Sequence, residues 1–547
     1  TGGAMGAGWQ WGVAYPTAWS TDVNPGANDD AVFPATLTRT SITLSDDTTI
    51  DRLIFDNQGS LSIGGNFLIT TRDILVRNSN SAPATNKLTN IKLANNGIIS
   101  VDAPKELRIT TEIKNDGQAY SLTKQGSGVL WLDGTTSCTG STFIAEGTVH
   151  LNAYGAQLKG YNIVVGDGVH AATLDMPYAG QSILGVPAGA IVTVNTNGLY
   201  SLNSPAATKG TFYPETYVIN GGTFNLGGNA LYMYNVAVTS NRSMSITMTG
   251  GAITNGSMSL PGPSQDYTIL STKASSATAQ INTDILFGGS RSIVSVEDGA
   301  APIDLEMAGF LCGNMLFRKT GAGVMALTRP TGNTAYRVGY SYLLDAGTLL
   351  VDNVSGTGTG SNGVTVAGGA TLGGKGTIYG FQNQAHITLG GSSASLLATI
   401  APGTLDRTTG EELCGTLTLG NVDEPVITNA VVFGNYSLLR AQLGKNGFSD
   451  RLAVYGNLKL DSALNQDKLD IIAPAANVPS GEHVLVTFSN VLSGRFDSVT
   501  FNGDPLPSRY KLEYRNASNQ AVVGTANITG GSIVLTVPPT ETLIIIH

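Results

Sequence analysis

Two stretches of this chain repeat one another, and that repeat limits its fold more than any other feature. The first copy opens at Leu122 with L-T-K-Q-G-S-G-V-L-W-L and closes with A-E-G-T-V-H-L at Leu151. The second opens at Phe317 with F-R-K-T-G-A-G-V-M-A-L and closes with D-A-G-T-L-L-V at Val351. Lys124, Gly126 and Gly128 match Lys319, Gly321 and Gly323, and Gly147-Thr148 matches Gly347-Thr348. The lysine-to-GT interval is 23 residues in the first copy and 28 in the second. A third, decayed segment covers 363–378, from Gly363 to Ile378. A unit of this size buries only one face, so it cannot stand alone, whereas stacked copies build a continuous core. Glycines at fixed places let the chain turn with positive φ where coils meet corners. Val, Leu and Ile of each strand are expected to point inward, and Thr, Ser and Lys outward.

The rest of the chain agrees with such a unit. Apolar spacing at i, i+3, i+4 and i+7 is absent over any stretch of helical length. Short alternating runs recur instead, among them Ser41–Leu44, Leu61–Ile63, Val129–Leu132 and Val364–Val366, and turn residues follow them. Glycine is in excess, at 69 of 547 residues, and charged residues make up 13% against the usual figure of roughly 25%. Thr, Ser and Asn carry the polar face in place of Lys and Glu, as suits strands and turns. The fold expected is all-β: a right-handed parallel β-helix or β-solenoid with an N-terminal cap and a C-terminal closing β-module. Residues 1–105 read as the cap and first coils, 106–440 as the solenoid body carrying the repeats at 122–151, 317–351 and 363–378, and 441–547 as the closing module.

The repeats resemble the autotransporter-associated β-strand repeat, a K-x-G-x-G-x-L-x-L opening, a T-G-x-T middle and a G-T-L-x-V close. Lys124–Leu132, Thr139–Thr142 and Gly147–Val149 carry that likeness in the first copy. In the second, Met325 replaces a leucine and the T-G-x-T middle is missing. Gly369–Ile378 and Ile400–Gly403 with Gly415–Leu419 are similar to segments common in the same proteins. Trp19, Asp29–Phe33 and Ile54–Asp56 look like the entry region of secreted repeat proteins, and Ser449–Gly456 like their last coil. The resemblance implies a bacterial β-solenoid of the autotransporter-passenger kind, located outside the cell or on its surface after removal of a signal peptide.

Several functions are disfavoured. A net charge of −9 without a Lys/Arg cluster disfavours a nucleic-acid partner. There is no apolar run of the ~18 residues that span a bilayer as a helix, so the chain is expected not to be membrane-spanning. Cys138, Cys312 and Cys414 lie far apart with no CxxC spacing and read as small buried hydrophobes. No cofactor is expected. Calcium would suit a secreted β-roll, but no loop can be named as its site.

Catalysis finds no constellation. Asp29-Asp30 and Asp46-Asp47 read as turn residues and Glu411-Glu412 as a loop. His150, His170, His386, His483 and His547 share no spacing, with His150 on an outward position of its strand. Gly356-Thr357-Gly358-Thr359-Gly360 reads as a corner, because no helix follows to aim a dipole at an anion. Tyr336, Tyr340 and Tyr342 near Arg337, and Tyr232 with Tyr234, read as packing pairs rather than as a carbohydrate platform or subunit contact. The chain is therefore expected to be a non-catalytic structural subunit of an extracellular filament, sheath or surface layer. Its partners would be copies of itself, with a surface polysaccharide second. Head-to-tail joining through terminal strands is expected, carried by Ile533, Leu535 and Val537 or by Leu543, Ile544, Ile545 and Ile546. An autotransporter-like adhesin is the alternative, although no run of ~10-residue membrane-barrel strands is visible. A carbohydrate-active β-helix enzyme comes third.

Overall fold

A computed structural model describes residues 10–11, 24–37, 40–78, 83–152, 157–177, 186–187, 189–203, 216–232, 245–260, 267–287, 291–312, 316–329, 342–359, 363–378, 386–420, 430–444, 448–460, 466–473 and 478–539. Among them there is no helix, and hence none long and apolar enough to cross a membrane. The chain is a β-solenoid of parallel stacked coils, divided into two compact units, 1–259 and 260–547.

In the first unit each coil gives one strand to each of two long parallel sheets. One sheet runs through Arg52–Phe55, Asp73–Val76, Gly97–Val101, Leu122–Gln125, Thr142–Ile144 and Asn162–Val165. The other runs through Ala84–Leu88, Lys105–Ile109, Val129–Leu132, Gly147–Leu151 and Ala172–Asp175. A short third sheet, Thr48–Thr49, Ile69–Thr71, Ile91–Leu93 and Ile113–Lys114, closes the side of the early coils. Each repeat copy thus supplies two successive coils, with the Gly126–Gly128 turn stacked on the Ala145–Gly147 turn. Alternation fixes the register, because a one-residue slip would turn every buried side chain outward. Aliphatic columns result: Leu53, Ile74, Ile99, Ile144 and Val165 occupy one line, all fully buried. Aromatics stack likewise, with Phe224 4.9 Å from both Tyr200 and Tyr217.

The second unit repeats the plan. One sheet carries Arg291–Val296, Leu316–Thr320, Tyr342–Leu344, Val364–Ala367 and His386–Gly390. The other carries Val324–Leu327, Gly347–Val351, Ala370–Gly374, Ala398–Pro402, Ser437–Gln442 and Asp467–Ile472. One excursion leaves the coil. After Gly403 the chain forms an antiparallel hairpin, Thr404–Leu405 against Glu412–Leu413, so Glu411-Glu412 belongs to a hairpin rather than a plain loop. Leu405 packs on an outer cluster of Ile303, Ala326 and Leu350, and the Arg407 guanidinium binds the buried Asp352 carboxylate at 2.7 Å. The hairpin is thereby bolted over the outer face of the second sheet. The last coils are closed by antiparallel strands, Gly481–Gly494, Lys511–Asn516 and Ile528–Val537.

Candidate functional site

The repeat-defining residues meet in one device, present twice. Lys124 was expected outside, and the structure corrects this: it lies between Ile99 and Ile144 in the buried aliphatic column. Lys319 stands likewise between Val294 and Leu344, with no exposed surface. Neither ammonium lacks partners. Lys124 Nζ donates to the carbonyls of Gln125 (2.7 Å), Gly126 (2.6 Å) and Glu146 (3.1 Å). Lys319 Nζ donates to Gly321 (2.7 Å), Gly323 (2.5 Å) and Ala346 (2.9 Å). Three N–H groups thus meet three carbonyls, and the third belongs to the turn of the following coil. Each lysine clamps two consecutive turns together from beneath.

The glycines make room for the clamp. Gly347 has φ +67°, and a Cβ there would lie 2.3 Å from Lys319 Nζ and 2.5 Å from the Gly321 carbonyl oxygen. Gly147 is held the same way over Lys124, with φ +73°. Thr148 and Thr348 continue the closing strands, their N–H groups donating to the Gly128 and Gly323 carbonyls. The decayed segment 363–378 supplies three paired strands, Val364–Ala367, Ala370–Gly374 and Thr377–Ile378, and carries no inward lysine; its Lys375 follows Gly374, a glycine with φ +115°.

Burial pushes both ammonium groups down to about 8, against the attraction of nearby carboxylates. An unfolded lysine titrates near 10.4. Above pH 8 the unfolded chain therefore holds more protons than the native one, so these two groups make stability rise with pH up to about 10.4 and contribute a constant below pH 8. The thiol of Cys138, which is buried, and that of Cys414, which is half-buried rather than buried as expected, are both pushed up to about 11 by loss of solvent and act in the opposite sense once pH passes 9. The expected result is a urea midpoint that climbs more steeply from pH 8 to pH 9 in the wild type than in a Lys124→Met/Lys319→Met double variant. Parallel pH profiles of the two proteins would refute the assignment.

The other sequence candidates are scattered. Asp29 caps a turn by accepting from the Gly26 N–H at 2.9 Å, Asp30 pairs with Arg52, and Asp47 accepts from the Leu68 N–H at 2.8 Å. His150 stacks on Trp131 on the outer face, centroids 4.0 Å apart, and its Nδ1 lies 2.9 Å from the Asp175 carboxylate. His170 pairs with Asp167 in an exposed turn, and His483 is buried against the Pro479 carbonyl. Tyr342 is a core residue packed on Phe317, centroids 4.8 Å apart. The Gly356 corner is tied by Asn353, whose side-chain amide donates to the Ser355 and Gly356 carbonyls. Among the described residues no group of three or more His, Cys, Asp and Glu side chains is placed to hold a metal ion. Trp19, Tyr234, Tyr336, Arg337, Tyr340 and His547, and the side chains of Tyr232, Cys312 and His386, lie outside the described residues.

The C-terminal strand also differs from expectation. Ile533, Leu535 and Val537 sit in Ile528–Val537, which pairs antiparallel with Gly481–Gly494 on one edge and with Lys511–Asn516 on the other. All three are buried. Their strand is an inner member of the closing sheet, already occupied on both sides by its own chain, and so is no free edge for a neighbour. Leu543, Ile544, Ile545 and Ile546 lie outside the described residues. One residue that sequence reading passed over is Asp450. It is buried, accepts from the Gly415 and Gln442 N–H groups at 2.9 Å each, and is pushed up to about 7 by that burial. It pins the returning end of the hairpin to the strand Ser437–Gln442.

No protein-family model matches the chain, and no curated protein matches it either.

Proposed function

We propose that the chain is a non-catalytic structural subunit of the bacterial cell exterior, a β-solenoid element of a filament, sheath or surface layer related to autotransporter passengers. The observation that carries this reading is the pair of lysine clamps. Charge that an enzyme would turn toward a substrate is here buried to fasten one coil to the next. The autotransporter-type motif supports the reading, since its lysine and glycines are the residues of the clamp. Joining is head-to-tail, and because Ile528–Val537 is already paired within its own chain, the joining strand of this proposal is the apolar stretch Leu543–Ile546. An adhesin is the second reading, favoured by the groove described below.

Negative-stain electron microscopy of the full chain beside a chain ending at Val537 tests the proposal. Fibres from the first and single particles from the second are expected. Single particles from both would sink the filament and leave the adhesin.

A further inference from the structure

The hairpin bolted over the second unit leaves a trough beside it. One hollow of about 190 Å³ lies over the strands Gly347–Val351, Ala370–Gly374 and Ala398–Pro402. A second, of about 410 Å³, continues past Ser437–Gln442 to Asp467–Ile472. The two share Glu412, Leu413 and Gln442 in their walls, so they adjoin at the end of the hairpin, and together they lie along five successive strands. At ~4.8 Å per strand this is about 20 Å of length.

Its lining is specific in character. Thr348 and Thr371 are register partners on the outward row and present two hydroxyls in line. Arg440 and Glu412 face each other at 3.6 Å, both about half exposed, so each keeps donors or acceptors for a ligand. Gln442 adds an amide. Phe448 stands at the far end, 74% exposed. Planar groups that both donate and accept, beside an aliphatic floor and one bare ring, match a ligand with paired hydroxyls on one side and C–H surface on the other. The floor is the face of a sheet rather than its edge, which disfavours an extended peptide added as a strand. Glu411 and Glu412 outnumber Arg440 in the lining, and the chain as a whole carries −9, so a polyanion is repelled. Two adjoining hollows spread over about 20 Å suit successive units of a polymer rather than a single small molecule.

The geometry points to a binding groove for a neutral polysaccharide, held between the hairpin and the outer face of the coils, with Arg440, Glu412, Gln442 and the Thr348–Thr371 row as its hydrogen-bonding groups. Such a site holds whether or not the chain polymerises, and fibre imaging does not bear on it.

Native affinity electrophoresis of the full chain tests this, with gels containing mixed-linkage glucan, galactomannan, dextran or, as the acidic probe, polygalacturonate. Retardation by at least one neutral polymer and none by polygalacturonate is expected. Arg440→Ala and Phe448→Ala, both at the surface, should each weaken the retardation about tenfold while leaving the thermal midpoint unchanged. Failure of all three neutral polymers to retard the chain would overturn the proposal, as would retardation by polygalacturonate alone or retardation that both variants keep. Concentration-dependent self-association abolished by the same two substitutions would also overturn it, by giving the groove to a second copy.

Discussion

Gly347→Ala is expected to destabilise the second unit by about 3 kcal/mol, far beyond what a single methyl group ordinarily does. Two effects add. The left-handed backbone at φ +67° penalises a Cβ by about 1–2 kcal/mol. The methyl group would also sit 2.3 Å from Lys319 Nζ and 2.5 Å from a carbonyl oxygen, and overpacking of that kind costs about 1–3 kcal/mol. Gly117 separates the two terms, since it shares the backbone conformation at φ +72° but has nothing within 4 Å of the added carbon. Gly117→Ala should therefore lose only about 1 kcal/mol. Coils couple chiefly to their neighbours, so the loss should appear as early opening of the coils around Gly347. Hydrogen exchange on the amides of 316–351 reads it directly. Equal losses at the two glycines would mean that Gly347 is a corner and nothing more.

The second large effect is expected at Lys319. Lys319→Ala removes a donor from three carbonyls; Gly323 keeps the Thr348 N–H, and each acceptor left unsatisfied in the interior costs about 1–3 kcal/mol. The emptied space adds a cavity term, so a total of about 4 kcal/mol or more is expected. Lys319→Met fills much of the same volume without supplying donors and should lose about half as much. That comparison matters because replacing a buried charge by a hydrophobe is sometimes stabilising. Urea unfolding of the three proteins decides it. A methionine variant as stable as the wild type would show that the ammonium contributes nothing beyond its volume.

Much of the fold was legible in the sequence, and the lysines show where reading stopped short. The short alternating runs and the glycines between them identify stacked parallel strands, and the coils follow. Lys124 lies two residues from Leu122, and Lys319 two from Phe317, so strand parity already puts each lysine on the buried face with its apolar neighbour. Polarity argued for the surface and parity for the core. Parity won, because the adjoining turns offer carbonyls that no aliphatic side chain could use. The pairing of Ile528–Val537 on both edges was not legible, since an apolar strand reads the same at the edge of a sheet and at its centre. The groove was hidden for another reason. Thr348, Thr371, Glu412 and Arg440 are separated by tens of residues, and only the stacking of coils of unequal length, with a hairpin inserted after Gly403, sets them side by side. Asp450 falls within a stretch marked as a last coil, yet nothing local announces that its carboxylate would tie two strands.

The closing sheet bears on how this molecule would carry a load. Strands of the coils lie across the stacking direction, so a pull along that direction peels them apart, opening hydrogen bonds in turn. Ile528–Val537 runs antiparallel between two strands that grip it along both sides. It lies across the stacking direction as well, because Gly481–Gly494 carries on the coil sheet of Arg451–Val454 and Asn457–Leu460. A load applied beyond Val537 along the stack would therefore open this seam bond by bond, as it opens those between coils, whereas a load applied along the strand would shear both of its edges at once.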